Sequence, residues 1–96
     1  MPAYLLFIRE EKIRDQTEMD TYSRKNREAP RDAKLKPLII YGKTEALEGA
    51  APDGIVLLEF PTIADARAWY ERPEYQEAMQ HRLRGADYRA MLIEGL

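Results

Sequence analysis

The only histidine in the chain, His81, is its most obvious candidate for acid–base chemistry. It is the one side chain that titrates near neutral pH without a perturbing environment. Helical spacing places it off the apolar stripe that contains Tyr75 and Met79, as is typical of a residue facing solvent. Since a general base must reach a substrate proton, the sequence favours a surface histidine, with ligand contact or proton transfer as the alternative.

Arg82 is the second candidate, because it shares the apolar stripe with Tyr75, Ala78, Met79 and Leu83. An arginine in such a place usually extends its charge to solvent or bonds to carbonyl groups at the end of the helix. The functional alternative is that Arg82 holds the carboxylate of a bound ligand. An anion site needs further donors, and the sequence does not place them.

Three glutamates, Glu10, Glu59 and Glu94, lie near the ends of predicted strands. Burial would raise the pKa of such a carboxyl group and suit it to acid or base catalysis. Ion pairing with a nearby arginine is the commoner outcome. The basic residues between positions 24 and 36 have no interleaved aromatic side chains, so they indicate a solvated face rather than a nucleic-acid site.

The composition excludes several classes of protein. The chain has 96 residues, no cysteine and a net charge of −2, so disulfides, zinc–sulfur sites and attraction to nucleic acid or an anionic membrane are not expected. No histidine cluster, glycine-rich phosphate loop or nucleophile motif is present, and neither a metal nor a cofactor is predicted. The first apolar run indicates a strand, not a signal peptide, and a cytoplasmic location fits the absence of cysteine.

Four strands and two helical regions alternate in the order βαββαβ within one domain, residues 1–96. The predicted strands are Ala3–Arg9, Pro37–Tyr41 with an alternative extension past Gly42 to Leu47, Ile55–Phe60 and Tyr88–Glu94. The first helix is expected from Gln16 to Glu28, after the cap residue Asp15. Thr62 caps the second, which is interrupted at Arg72 and resumes from Pro73 to Leu83.

This order predicts an α+β, ferredoxin-like fold with an antiparallel four-stranded sheet and the helices on one face. The strands do not alternate apolar and polar residues, as a sheet with one solvated face should. Runs such as Leu5–Ile8 and Ile55–Leu58 put apolar side chains on both faces. Because two helical regions cover only one face, the sequence predicts a homodimer that packs sheet to sheet.

The first helix is unusually polar, with Met19 and Tyr22 as its main apolar residues. A helix that seals a sheet carries a wider apolar stripe. The simpler interpretation is a loosely packed surface helix. The alternative is a pocket between this helix and the sheet, with Tyr22 reaching into it. The aromatic pair Trp69 and Tyr70 is assigned to the core.

Several segments resemble a bacterial domain-of-unknown-function family (DUF1330) of the dimeric α/β-barrel superfamily. They are the stretch from Leu57 to Thr62, the Ala66–Tyr70 step, the Pro73–Gln76 segment and the closing Ile93-Glu94-Gly95. The resemblance implies a ferredoxin-like protomer whose sheet pairs with a second sheet to form a barrel. In that family serine usually precedes the proline, whereas this chain has Arg72, so an expected helix cap is lost.

The leading functional prediction is a homodimer that binds a small organic molecule between the first helix and the sheet. The residues expected near such a ligand are Tyr22, Tyr41, Trp69, His81 and Arg82. One alternative is a cofactor-independent enzyme of the monooxygenase or isomerase type, in which His81 or a strand-end glutamate moves a proton. Another is a structural dimer with a filled core.

Overall fold

A computed structural model describes residues 1–96 and contains four strands and three helices. In chain order these are β1 (Ala3–Arg9), α1 (Gln16–Glu28), β2 (Lys36–Ile40), β3 (Gly54–Phe60), α2 (Ile63–Glu71), α3 (Pro73–Gly85) and β4 (Tyr88–Glu94). The strands form one sheet in the order β2-β3-β1-β4, and every neighbouring pair is antiparallel. This topology confirms the predicted α+β, ferredoxin-like fold.

The helices begin and end where local chemistry predicts. The Asp15 side chain accepts a hydrogen bond from the backbone N–H of Glu18 at 3.2 Å, and the Thr62 hydroxyl accepts one from that of Asp65 at 3.1 Å. Between α2 and α3, Arg72 has an extended backbone, because the proline that follows disfavours the helical region. None of the three helices is long and apolar enough to cross a lipid bilayer.

The core lies between the centre of the sheet and the helices α2 and α3. Alternate residues of β1 and β3 supply the sheet side, and Trp69 and Tyr75 supply the helix side. Phe60 and Tyr75 are each 1% exposed. Burial of a side chain of this size stabilises the fold by about 1.5–3 kcal/mol. The prediction that Trp69 belongs to the core is confirmed.

The extension of β2 past Gly42 to Leu47, considered from the sequence, is wrong. β2 ends at Ile40, and Tyr41 adopts a positive φ of 52°, which turns the backbone out of the extended conformation. The backbone N–H of Tyr41 still bonds to the carbonyl of Ile55 at 2.9 Å. A register shift between Pro37 and Ile39 also shortens the ladder, so the strand makes only a brief edge to the sheet.

The outer face of the sheet, meaning the side away from the helices, is also apolar. Its side chains alternate with those of the core and are half-buried or exposed. The apolar ones are Tyr4, Leu6, Ile8, Ile39, Ile55, Leu57, Met91 and Ile93, and the charged residues Lys36, Glu59 and Arg89 lie on the same face near the strand ends. No helix packs on this face, and Ile93 at its edge is 43% exposed.

Candidate functional site

A cavity of about 670 Å³ lies between α1 and the sheet. We call it the α1 cavity. It forms because α1 packs mainly against α3 and makes little contact with the strands beneath it. Met19 is the only fully buried residue of α1, so the helix has no apolar stripe with which to close the gap. The cavity therefore lies where the sequence suggests a pocket.

The interior wall of the α1 cavity is apolar. Phe7, Val56 and Leu58 line it from β1 and β3, Trp69 lines it from α2, and Leu35 lines it from the segment before β2. Phe7 is 3% and Leu58 6% exposed. Ligand sites in proteins usually have this composition, with an apolar lining and a few polar groups that fix orientation.

Two hydrogen-bonded phenols form one polar corner: Tyr22 is half-buried and lines the cavity, and Tyr75 is buried behind it. The hydroxyl groups of Tyr22 and Tyr75 are 2.9 Å apart and share a hydrogen bond. Burial raises the pKa of Tyr22 well above its usual range, and the neighbouring phenol of Tyr75 adds to the shift. Burial also raises the pKa of Tyr75, although the charge of Arg82 opposes it. Both phenols are therefore neutral hydrogen-bonding groups at physiological pH.

A second polar corner joins the end of β2 to β4. The hydroxyls of Tyr41 and Tyr88 lie 2.6 Å apart, and Arg9 donates to the Tyr88 hydroxyl at 2.9 Å and to Asp53 at 2.7 Å. The guanidinium carbon of Arg9 lies 4.9 Å from the centre of the Tyr41 ring, a cation–π distance. Burial and the bond to Tyr88 raise the pKa of Tyr41.

The position of the Tyr41 ring depends on the glycine at position 54. A Cβ atom on Gly54 would lie 2.7 Å from Cδ1 of Tyr41 and 3.2 Å from Nη2 of Arg9. No side chain fits there without displacing the ring. The left-handed backbone of Tyr41 and the missing side chain of Gly54 together fold the ring towards the cavity.

Arg82 lies behind the lining of the α1 cavity. It is 3% exposed, makes no ion pair, and its Nε has no hydrogen-bond partner. Its guanidinium carbon is 5.0 Å from the ring centre of Tyr88 and 5.7 Å from that of Phe7. The favoured sequence interpretation, in which Arg82 reaches solvent or carbonyl groups, is wrong, because two aromatic rings enclose the charge.

His81 lies outside the cavity, in the contact between α1 and α3. Its Nδ1 is 2.6 Å from Oε2 of Glu18, and the histidine side chain is 23% exposed. His81 therefore lies outside the cavity, as the favoured interpretation expects, but it is half-buried in a pair with Glu18 of the neighbouring helix rather than free in solvent. Of the five predicted site residues, the structure brings Tyr22, Tyr41 and Trp69 into the lining and leaves His81 and Arg82 outside it.

The strand-end glutamates are also outside the cavity. Glu10 forms an ion pair with Arg89 at 2.6 Å, as the simpler interpretation predicts. Glu59 belongs to the outer face, because it alternates with the buried residues Leu58 and Phe60. No group of three or more histidine, aspartate or glutamate side chains is placed to hold a metal ion.

Arg72 is a cavity residue that the sequence did not reveal. It donates from Nη1 to the carbonyl of Pro30 at 2.9 Å, and its guanidinium carbon lies 5.3 Å from the centre of the Trp69 ring. Its side chain makes no capping hydrogen bond to α3, in agreement with the expected loss of that cap. The only available signal was the following Pro73, which holds the backbone of Arg72 extended.

The fold and the site define a class, the ferredoxin-like α+β proteins with an apolar cavity under the first helix. The family model for a domain of unknown function, DUF1330, matches residues 2–96, so the chain belongs to that family. No curated protein matches the chain.

Solved structures share this fold at low sequence identity. A protein of unknown function from Rhodopseudomonas palustris is 19% identical, with a TM-score of 0.69 over 99% of this chain and 82% of its own. An ethyl tert-butyl ether D family protein from Bacillus halodurans is 16% identical, with a TM-score of 0.65 over 100% of both chains. A dimeric ferredoxin-like protein of unknown function from Bacteroides fragilis is 13% identical, with a TM-score of 0.64 over 98% of this chain and 96% of its own. At these identities the likeness concerns the fold alone.

Proposed function

We propose that the protein is a homodimer that binds a small organic molecule in the α1 cavity. The observation that carries this proposal is the cavity itself, about 670 Å³ in volume, with an apolar interior and phenol groups at its corners. Ligand pockets in proteins typically enclose about 300–1,000 Å³. A structural dimer without a ligand would have a filled core in this place.

The positions of the acid–base groups favour binding over proton transfer. In the alternative hypothesis of an enzyme, His81 or a strand-end glutamate moves the proton. None of these residues lines the cavity. Among the phenols that line the cavity, Tyr22 and Tyr41 have raised pKa values, which lie further from neutral pH than usual. They are suited to donating hydrogen bonds to a ligand and are poor bases.

Two measurements test whether the α1 cavity binds a ligand. Native mass spectrometry of the purified protein should detect a retained small molecule, and thermal unfolding should show stabilisation by a compound that fits. The variant Val56→Phe adds volume to the cavity wall, so it should abolish both effects. Ala68→Phe, at an exposed position of α2, makes a similar addition outside the cavity and should preserve them. Equal ligand stabilisation of both variants would contradict the proposal.

The outer face supports the dimer. Leu57 pairs across the sheet with Leu6 and Ile39 at the centre of this apolar surface. Contiguous apolar patches of this kind usually mark an interface. A stable interface buries about 800 Å² on each partner, roughly an eighth of the 6449 Å² surface of this chain. The Bacteroides fragilis relative, which shares the fold, is described as dimeric.

Light scattering tests the dimer. The wild type should have twice the 11.2 kDa mass of one chain. Leu57→Glu should give a monomer, because it places a charge in the centre of the interface. Leu83→Glu changes an exposed leucine of α3 in the same way and should remain dimeric. A monomeric wild type at micromolar concentration would refute this part of the proposal.

The cytoplasmic location stays a prediction that rests on the absence of cysteine.

A further inference from the structure

The mouth of the α1 cavity is positively charged, although the whole chain has a net charge of −2. By the mouth we mean the exposed lining residues Arg27, Pro30 and Arg31 together with Arg72, which bonds to Pro30. None of these three arginines makes an ion pair within the chain. They therefore concentrate unpaired positive charge around the opening of an apolar space.

One carboxylate, Asp32, is present in the lining, and it has a local role. Its Oδ1 accepts a hydrogen bond from the backbone N–H of Lys34 at 2.8 Å, which shapes the turn before β2. It makes no ion pair with the arginines of the mouth. Behind the interior wall, the buried charge of Arg82 also has no acidic partner. The electrostatic field of the site is consequently cationic at both ends.

Arg72 is the best placed of these arginines to receive an anion. The carbonyl of Pro30 and the ring of Trp69 hold its guanidinium group in a fixed position, so little side-chain entropy is lost when a ligand binds. The planar fork of an arginine suits a carboxylate, to which it donates two hydrogen bonds. Arg27 and Arg31 are exposed and add charge beside it.

From these observations we infer that the ligand is a small monocarboxylate with an apolar body. The apolar body occupies the space between Val56, Leu58 and Trp69, and the carboxylate stays at the mouth on Arg72. Arg72 is the one guanidinium held in place at the mouth, so the site suits a single carboxylate; the negative end of the α1 dipole, which adjoins the mouth, partly offsets the charge of the arginines. The inference rests on the proposed function and adds the chemical class of the ligand to it.

Trp69 provides a direct assay, because it is the only tryptophan in the chain and lines the cavity. Its fluorescence is titrated with 4-phenylbutyrate and octanoate, and with the two corresponding amides. Each amide has nearly the same shape as its acid but no charge. The acids should bind at least tenfold more tightly than the amides, since hydrogen bonds to a charged group are about twice as strong as neutral ones. Raising the salt concentration should narrow this ratio.

Arg72→Gln should weaken the binding of the acids about tenfold and leave the amides unchanged. Arg67→Gln is the matched control, because it removes the same charge from an exposed site on α2 outside the lining. The comparison of acid with amide on the wild type needs no variant, so it holds even if Arg72→Gln folds poorly. Equal affinities for acid and amide would overturn this inference alone. No saturable change of Trp69 fluorescence with any of the four compounds would also overturn this inference, and, together with the absence of a retained molecule in native mass spectrometry, it would overturn the proposed function as well.

Discussion

Replacing Gly54 with alanine should expel the Tyr41 ring from its place against the sheet. The new Cβ would lie 2.7 Å from Cδ1 of that ring, closer than Cβ contacts in proteins, and 3.0 Å from Cε1, which is a very tight contact. The ring belongs to a side chain that is 43% exposed, so it can swing outwards. Its hydrogen bond to Tyr88 and its contact with the Arg9 guanidinium would then be lost.

The size of the effect follows from these contacts. A hydrogen bond of this kind contributes about 0.5–1.5 kcal/mol, and a cation–π contact at a partly exposed site adds about 0.5–1 kcal/mol. Alanine in place of glycine restricts the unfolded chain and returns about 0.4–1 kcal/mol. The backbone of Gly54 is not left-handed, so strain adds nothing. The net loss is about 1 kcal/mol, which lowers the melting temperature by about 4–8 °C in a domain of this size.

The control is Gly42→Ala, two residues beyond Ile40, the last paired residue of β2. There the new Cβ would meet only Cγ2 of Ile39 at 3.7 Å, an ordinary contact. Thermal and urea unfolding of both variants should place Gly54→Ala below the wild type and Gly42→Ala at or slightly above it. If Gly54→Ala were as stable as Gly42→Ala, Tyr41 would not be held by the contacts described here. Ligand binding should also weaken in Gly54→Ala, because the cavity loses part of its wall.

Three further predictions concern other parts of the fold. Burial raises the pKa of Tyr22 and Tyr75, so the folded state keeps phenol protons that the unfolded chain releases near pH 10. Their contribution to the free energy of unfolding should be fully present below that pH. Above it, the free energy of unfolding should fall by about 1.4 kcal/mol per pH unit for each phenol. Urea unfolding at pH 8, 10 and 11 measures this, and a constant unfolding free energy would contradict it. Thr62→Ala should lower the free energy of unfolding by about 1 kcal/mol, because the α2 cap is lost. Thermal unfolding measures this against the control Thr44→Ala, which lies in an exposed segment. Equal melting temperatures of the two variants would argue against the cap. Gly85→Ala should destabilise the protein by about 1–3 kcal/mol. The reason is that its Cβ would lie 2.8 Å from Cγ of Met19 and 3.1 Å from the backbone oxygen of Asp15. An unchanged free energy of unfolding in urea would show that α1 can move aside.

The sequence predicted the elements of this fold well because their signals are local. Asp15, Thr62 and Pro73 each act on backbone groups within a few positions, so the starts of the three helices could be placed to the residue. The apolar runs of the strands are equally local. Their presence on both faces of the sheet depends only on the alternation of side chains along a strand.

The contents of the site were less predictable because they depend on contacts between distant positions. His81 is 63 residues from its partner Glu18, and Tyr88 is 47 residues from Tyr41. Such pairs follow from the register of the sheet and the packing of α1 on α3, neither of which is encoded in a short motif. Tyr41 itself was misleading, since β-favouring aromatic residues rarely adopt a positive φ and the run around it resembles a continuous strand.

One sheet separates the α1 cavity from the apolar outer face. In a back-to-back pair of chains, two layers of strands would therefore lie between the two cavities. A molecule bound in the α1 cavity of one protomer would not contact the cavity of its partner, so the two cavities should bind their ligands independently.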